Sequence, residues 1–201
     1  MLLLSSRRLL GLGGIIGPAA FVTAWAVLGA RKVGYNPITD HISRLAAAGV
    51  PERAAMSAGF VAFGLAVPAY GWALRRSLPG PAWTTAVATG LATLGVAAFP
   101  LDGPVGDTPH AIAASLGYAT LAATPLLAAR PLHRSGRNSW AAASVVAGVA
   151  SGLCLAATVA GPATGLLQRT GLGIGDLWLA ATGAAIASGR FAVQRVSQGD
   201  A

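Results

Sequence analysis

The chain has 201 residues, 54% of them hydrophobic and only 10% charged, with a formal net charge of +8. A chain this short and apolar is filled by one polytopic bundle and leaves no room for a soluble domain. No basic stripe interleaved with aromatics supports a nucleic-acid partner, and the lone Cys154 excludes an intramolecular disulfide and a thiolate metal site.

Six stretches are free of Asp, Glu, Lys and Arg: residues 9–30, 54–74, 77–101, 108–129, 138–168 and 177–189. A helix needs about 20 apolar residues to cross the hydrocarbon core. Five stretches reach that length, whereas the last has 13 residues between Asp176 and Arg190. Arg190 can snorkel to the interface, which leaves Asp176 inside the span. Because lipid offers no partner for backbone amides, the chain is predicted to be an all-α polytopic membrane bundle. It forms a single domain over 1–201, with six spans at about 9–30, 54–74, 80–100, 109–129, 139–161 and 171–190.

At the N-terminus Arg7, Arg8, an apolar stretch and the Ala24-Trp25-Ala26 arrangement imitate a signal peptide. The stretch is longer than a short h-region, so a retained first helix is expected. Lys and Arg in alternate gaps set the orientation. Arg7, Arg8, Arg75, Arg76, Arg130, Arg134, Arg137, Arg190 and Arg195 put nine on one side; Arg31, Lys32, Arg44, Arg53 and Arg169 put five on the other. The richer side is predicted to be cytoplasmic, in the cell membrane, with both termini inside. Trp25, Trp72, Trp83, Trp140 and Trp178 fall near predicted span ends, where amphipathic rings settle. Glycines four apart, at Gly13 and Gly17, Gly148 and Gly152, and Gly161 and Gly165, allow close backbone approach; ordinary bundle packing is the first reading, ahead of a dimer face.

The first outer connection, GYNPITDHISRLAAAGVP over 34–51, reads as a short interfacial helix capped by Thr39 or Asp40 and ended by Gly49 and Pro51. Ile38, Ile42 and Leu45 would share its buried face, and Asp40 and Arg44 would pair at i, i+4. Ser43, His41 and Asp40 invite a hydrolase reading, but residues so near on one helix do not easily form a nucleophile's relay. In the second, FPLDGPVGDTPH over 99–110, Asp107 or Thr108 caps the next helix with Pro109 in its first turn. His110 then points from the helix mouth, with Ser115 and Tyr118 deeper. The third, GLLQRTGLGIGDLW over 165–178, places Gln168 and Arg169 at the outer interface and Asp176 about 7–10 Å further along. A carboxylate there is costly and should face the bundle or a wet cavity; the helix dipole or Arg169 or Arg44 would neutralise it.

Convergence of these connections would gather His41, Asp102, His110 and Asp176 as candidate catalytic groups. Asp40, Ser43, Arg44, Tyr118, Gln168 and Arg169 are candidate substrate contacts. No cofactor is specified. His41, Asp102, Asp107 and His110 have the donor types of a divalent-metal site, though not the spacing of a metal motif.

The run YNPITDHISRLAAAGVP, the FPLDG turn with its downstream histidine, and the late GLLQR element resemble a bacterial and archaeal family of six-helix membrane proteins, domain of unknown function nine hundred and ninety-eight. The resemblance covers nearly the whole chain. It implies six helices and outward polar loops, supplies no reaction or cofactor, and extends to Asp40, Ser43, Asp102, His110, Gln168 and Arg169. Asp176 lies outside it.

Two functions follow. One is binding or processing of a lipid or isoprenoid headgroup at an extracytoplasmic polar pocket, with Arg44 and Arg169 clamping a phosphate. The other is a non-catalytic bundle: a scaffold with a closed core, or a small-solute transporter with a polar midplane path. The midplane is expected to offer only hydroxyls, Cys154 and Tyr118, which disfavours a charged cargo. Membrane lipids are the expected partners, with a second copy or another membrane protein left open.

Overall fold

The computed structural model describes residues 6–191, which are helical with no β-strand among them; Arg195 lies outside the described residues. The helices are α1 (Ser6–Gly11), α2 (Gly13–Arg31), α3 (Arg53–Arg75), α4 (Ala82–Ala98), α5 (Thr108–Arg134), α6 (Asn138–Ala156) and α7 (Thr164–Ala187), with short 3-10 turns at Ile42–Ala46 and Ala157–Val159. α1 and α2 form one apolar rod interrupted at Leu12. This rod, α3, α5, α6 with its 3-10 extension, and α7 are each long and apolar enough to cross a membrane. α4 is shorter, at 17 residues, because Pro81 precedes it and Phe99-Pro100 ends it.

Each helix packs on the next in sequence, and α7 returns onto α2, so the bundle closes into a ring. Glycine makes the tightest seam. A Cβ added to Gly13 would lie 2.2 Å from the carbonyl oxygen of Ala66, and one at Gly17 would press on Ala66 and Val67. This pair therefore serves α2–α3 packing within the chain, as Gly148 serves α6 against Leu126 of α5. Inside the ring Phe21, Phe60 and Phe63 stack with centroids 5.5 and 5.6 Å apart. Buried hydroxyls tie helices together: Tyr70 to Thr182 at 2.7 Å, and the Trp178 indole N–H to Ser144 at 2.9 Å. The outside is apolar, with Ile112, Leu153 and Leu177 exposed by 65–70%, the inverse of a water-facing surface and the coat that lipid requires.

Three sequence expectations change. The last helix begins at Thr164 rather than near 171, because the chain breaks at Gly161 (φ +86°) and Pro162, and Gln168 and Arg169 face inward instead of ending the span. Trp178 is therefore a buried core residue, 5% exposed, and not an interface anchor. In the first connection no α-helix forms. Asp40 Oδ2 accepts from Asn36 N–H at 2.8 Å, and Asn36 Oδ1 from Ile38 N–H at 2.9 Å, so the side chains close turns in place of capping a helix. Only the 3-10 turn Ile42–Ala46 remains, with Ile42 and Leu45 three apart on its buried face and Ile38 exposed.

Candidate functional site

The three connections that follow α2, α4 and α6 meet at one end of the ring. Ala48 N–H donates to Leu101 O at 2.8 Å and Leu166 N–H to Ile38 O at 2.9 Å, and Thr164 Oγ1 donates to Thr39 O at 2.8 Å. The opposite end is basic and aromatic: Arg75 lies 4.8 Å from the ring centroids of both Trp72 and Trp83, and Arg137 lies over Phe191.

Arg169 organises the meeting point. Its Nη1 donates to the carbonyls of Pro37, Asp40 and Gly165 at 2.8–2.9 Å, and its Nη2 to the Tyr35 hydroxyl. The guanidinium plane lies 5.5 and 5.4 Å from the Trp25 and Tyr35 ring centroids. Nη1 meets the three carbonyls while Nη2 reaches Tyr35, so two separate nitrogens of the planar fork are engaged at once, which a lysine ammonium cannot reproduce. Burial lifts the Tyr35 phenol above its ordinary range, against the pull of Arg169. Gln168, one residue earlier, accepts from Ile42 N–H at 2.7 Å and donates to Tyr118 OH. The first two turns of α7 thus hold the first connection down as a roof.

The second connection fastens the other side. His110 does not point from the helix mouth; it is 5% exposed, with Nδ1 2.8 Å from Phe99 O and Nε2 2.9 Å from Ser43 Oγ. A carbonyl only accepts, so Nδ1 carries the proton, and in the neutral ring Nε2 accepts from Ser43. Asp107 does not cap α5: its Oδ1 accepts from Asp102 N–H at 2.8 Å, closing the turn in which Asp102 takes φ +56°. Arg44 pairs with Asp102 at 3.2 Å instead of with Asp40, both side chains more than half exposed; such a pair contributes about 0–1 kcal/mol. His41 stands half-buried beside it, its imidazole held below the ordinary value first by burial, then by Arg169 and Arg44.

Beneath this roof lies an axial chamber of about 50 Å³, room for about three waters. Ile42 and Ser43 cap it; Phe21, Phe60 and Phe63 make its apolar wall, and Thr89, Thr93, Tyr118, Gln168 and Asp176 bring polar groups to it. Asp176 is 4% exposed, and neither carboxylate oxygen has a hydrogen-bond partner. It lies twelve residues past Thr164 and eleven before Ala187, about 18 Å along the helix. The expected position near the helix mouth is thus corrected to mid-helix. Dipole stabilisation does not reach that far, and both arginines expected to neutralise the acid are engaged elsewhere. The central level of the bundle therefore holds an acid as well as the hydroxyls anticipated there.

Asp40, Ser43, Arg44, Asp102, Asp107, His110, Tyr118, Gln168 and Arg169 are joined through one another or through the backbone between them. Asp176 stands apart below. Among the described residues no three His, Cys, Asp or Glu side chains gather tightly enough to hold a metal ion; the His41, Asp102, Asp107 and His110 set is not assembled as one. Trp25 and Tyr35, the aromatic cage of Arg169, were not anticipated. Their signal lay in the YNP run beside a tryptophan one helix turn and a half from the end of α2.

Helices with apolar outer faces, joined in a ring around a small polar interior, define a multi-pass α-helical membrane protein. Residues 15–185 match the family model described as protein of unknown function (DUF998), and the chain belongs to that family. No curated protein and no solved structure matches it significantly.

Proposed function

We propose that the chain is a single-domain, six-span protein of the cell membrane with cytoplasmic termini, and that it binds a lipid or isoprenoid headgroup at its extracytoplasmic end. The count of six includes α4, whose 17 residues rise about 26 Å, at the short limit for spanning. The orientation rests on the basic residues gathered at one end.

One observation carries the lipid reading: an apolar groove of about 700 Å³ runs between α4 and α5, walled by Leu91, Phe99, Val105, Pro109, Ile112 and Leu116, and finishes at Thr108 beside the acidic second connection. The groove lining is uncharged, and the second connection next to it carries Asp107 and Asp102, the latter paired with Arg44, so the groove suits an acyl or isoprenoid chain with its head toward that connection. Arg169 spends both terminal nitrogens on Pro37, Asp40, Gly165 and Tyr35 and does not line the groove, so the headgroup reading rests on Arg44. The test is native mass spectrometry of the protein released from membranes. Wild type should retain lipid, and Ala88→Trp, which fills the groove, should lose it at unchanged thermal stability; equal retention by both would reject the reading.

The Ser43–His110 pair, with its ring oriented by Phe99 O, has the relation of nucleophile and base. Both residues are buried, however, and Ser43 lines the axial chamber rather than the groove, so the groove supports binding of the lipid and not its processing.

A further inference from the structure

We infer that the axial chamber is a binding site for one small monovalent cation, held by the Asp176 carboxylate and the oxygens of the chamber wall. The inference stands apart from the lipid reading and uses none of the groove residues.

Both oxygens of Asp176 are buried without a partner, and no Lys, Arg or His lines the chamber. An ionised carboxylate so placed carries a large desolvation penalty and must be neutralised by something that enters the chamber. The polar groups that interrupt its largely apolar wall are hard donors: the hydroxyls of Ser43, Thr89, Thr93 and Tyr118 and the Gln168 amide oxygen line it with Asp176, and hard oxygen ligands suit hard cations. Thr93 gives its proton to Thr89 O at 2.9 Å, so its lone pairs remain free for a ligand. About 50 Å³ holds an ion with one or two waters and excludes anything larger. A single positive charge cancels a single carboxylate, whereas a divalent ion would leave one charge uncompensated in a low-dielectric interior. A proton competes for the same oxygens, so occupancy falls as pH falls.

The test uses the full chain in nanodiscs, with NaCl exchanged for choline chloride at constant ionic strength. The thermal midpoint should rise with sodium and saturate, and the half-saturating concentration should climb as the pH is lowered. Asp176→Asn, a neutral isostere, should remove the sodium dependence at every pH. A carboxylic-acid stretch in the infrared spectrum of sodium-free wild type, absent from Asp176→Asn, should shrink as sodium is added. Lithium and potassium, run in parallel, report which size fits. A band indifferent to all three ions would make Asp176 a permanently neutral acid and overturn the proposal. So would a midpoint that moves equally in Asp176→Asn, or an ionised acid with no ion-dependent midpoint.

Discussion

Replacing Arg169 by lysine keeps the charge and removes the fork. The ammonium, with three N–H donors, can serve the carbonyls of Pro37, Asp40 and Gly165 that Nη1 serves, but it gives up the Tyr35 hydroxyl that Nη2 reaches and leaves the faces of Trp25 and Tyr35. One lost bond at about 0.5–1.5 kcal/mol and two lost cation–π contacts at about 0.5–1 kcal/mol each come to about 1.5–3.5 kcal/mol. The lower part of that range applies if water reaches the freed Tyr35 hydroxyl. Because the contacts fasten residues 35–40 to the start of α7, the loss should be local. Backbone amides over 36–48 should exchange with deuterium at least about 12-fold faster, a factor equivalent to about 1.5 kcal/mol, while amides of α3 and α5 at the basic end keep their protection. Hydrogen-exchange mass spectrometry in nanodiscs reads both at once. Unchanged exchange over 36–48 would refute the clamp, and uniform acceleration over the whole chain would refute its locality.

Gly13→Ala drives a methyl to 2.2 Å from Ala66 O and should lower stability by about 1–3 kcal/mol; Gly173→Ala, with nothing within 4 Å, should leave it equal or higher, both read from unfolding midpoints in bicelles. Ser144→Ala strands the buried Trp178 indole N–H and should cost about 1–3 kcal/mol, whereas no change in midpoint would mean that the indole finds another acceptor. The folded chain resists protonating His41, since its imidazole titrates below the ordinary 6.5, so the unfolded chain binds more protons as pH falls past that value. Stability is then full above about pH 6.5 and declines toward the lower folded value; His41→Asn should flatten the decline in a pH series of unfolding midpoints.

The bundle was largely legible from composition, because charge-free runs long enough to span lipid have few other uses. The ends of α7 were not. Arg169 looks from sequence like the outer limit of a span that begins near 171, and Asp176 like an acid just inside it, since a charge at an interface and a charge turned into a bundle have the same one-letter code. Only the carbonyls of Pro37 and Asp40, more than a hundred residues away in the chain, distinguish the two. The turn signal at Gly161-Pro162 marked the true break. In the first connection Asp40 and Thr39 carried helix-capping chemistry, but the Asp40 side chain, with that of Asn36, closes turns instead, and burial of Ile42 and Leu45 decided the outcome. Proximity of Ser43 to His110 could not be read locally at all: the expected partners were His41 and Asp40, and the real one enters from α5.

Convergence of the first and second connections over the chamber is tested most directly by an engineered disulfide between residues 48 and 101. The 2.8 Å backbone hydrogen bond between Ala48 and Leu101 puts them within reach of one another. In a Cys154→Ser background, Ala48→Cys with Leu101→Cys should oxidise to an intrachain bond seen by mass spectrometry, and Ala48→Cys with Ser77→Cys, from opposite ends, should not. Failure of the first pair to close, or closure of the second, would contradict the arrangement on which the roof, the chamber and its acid depend.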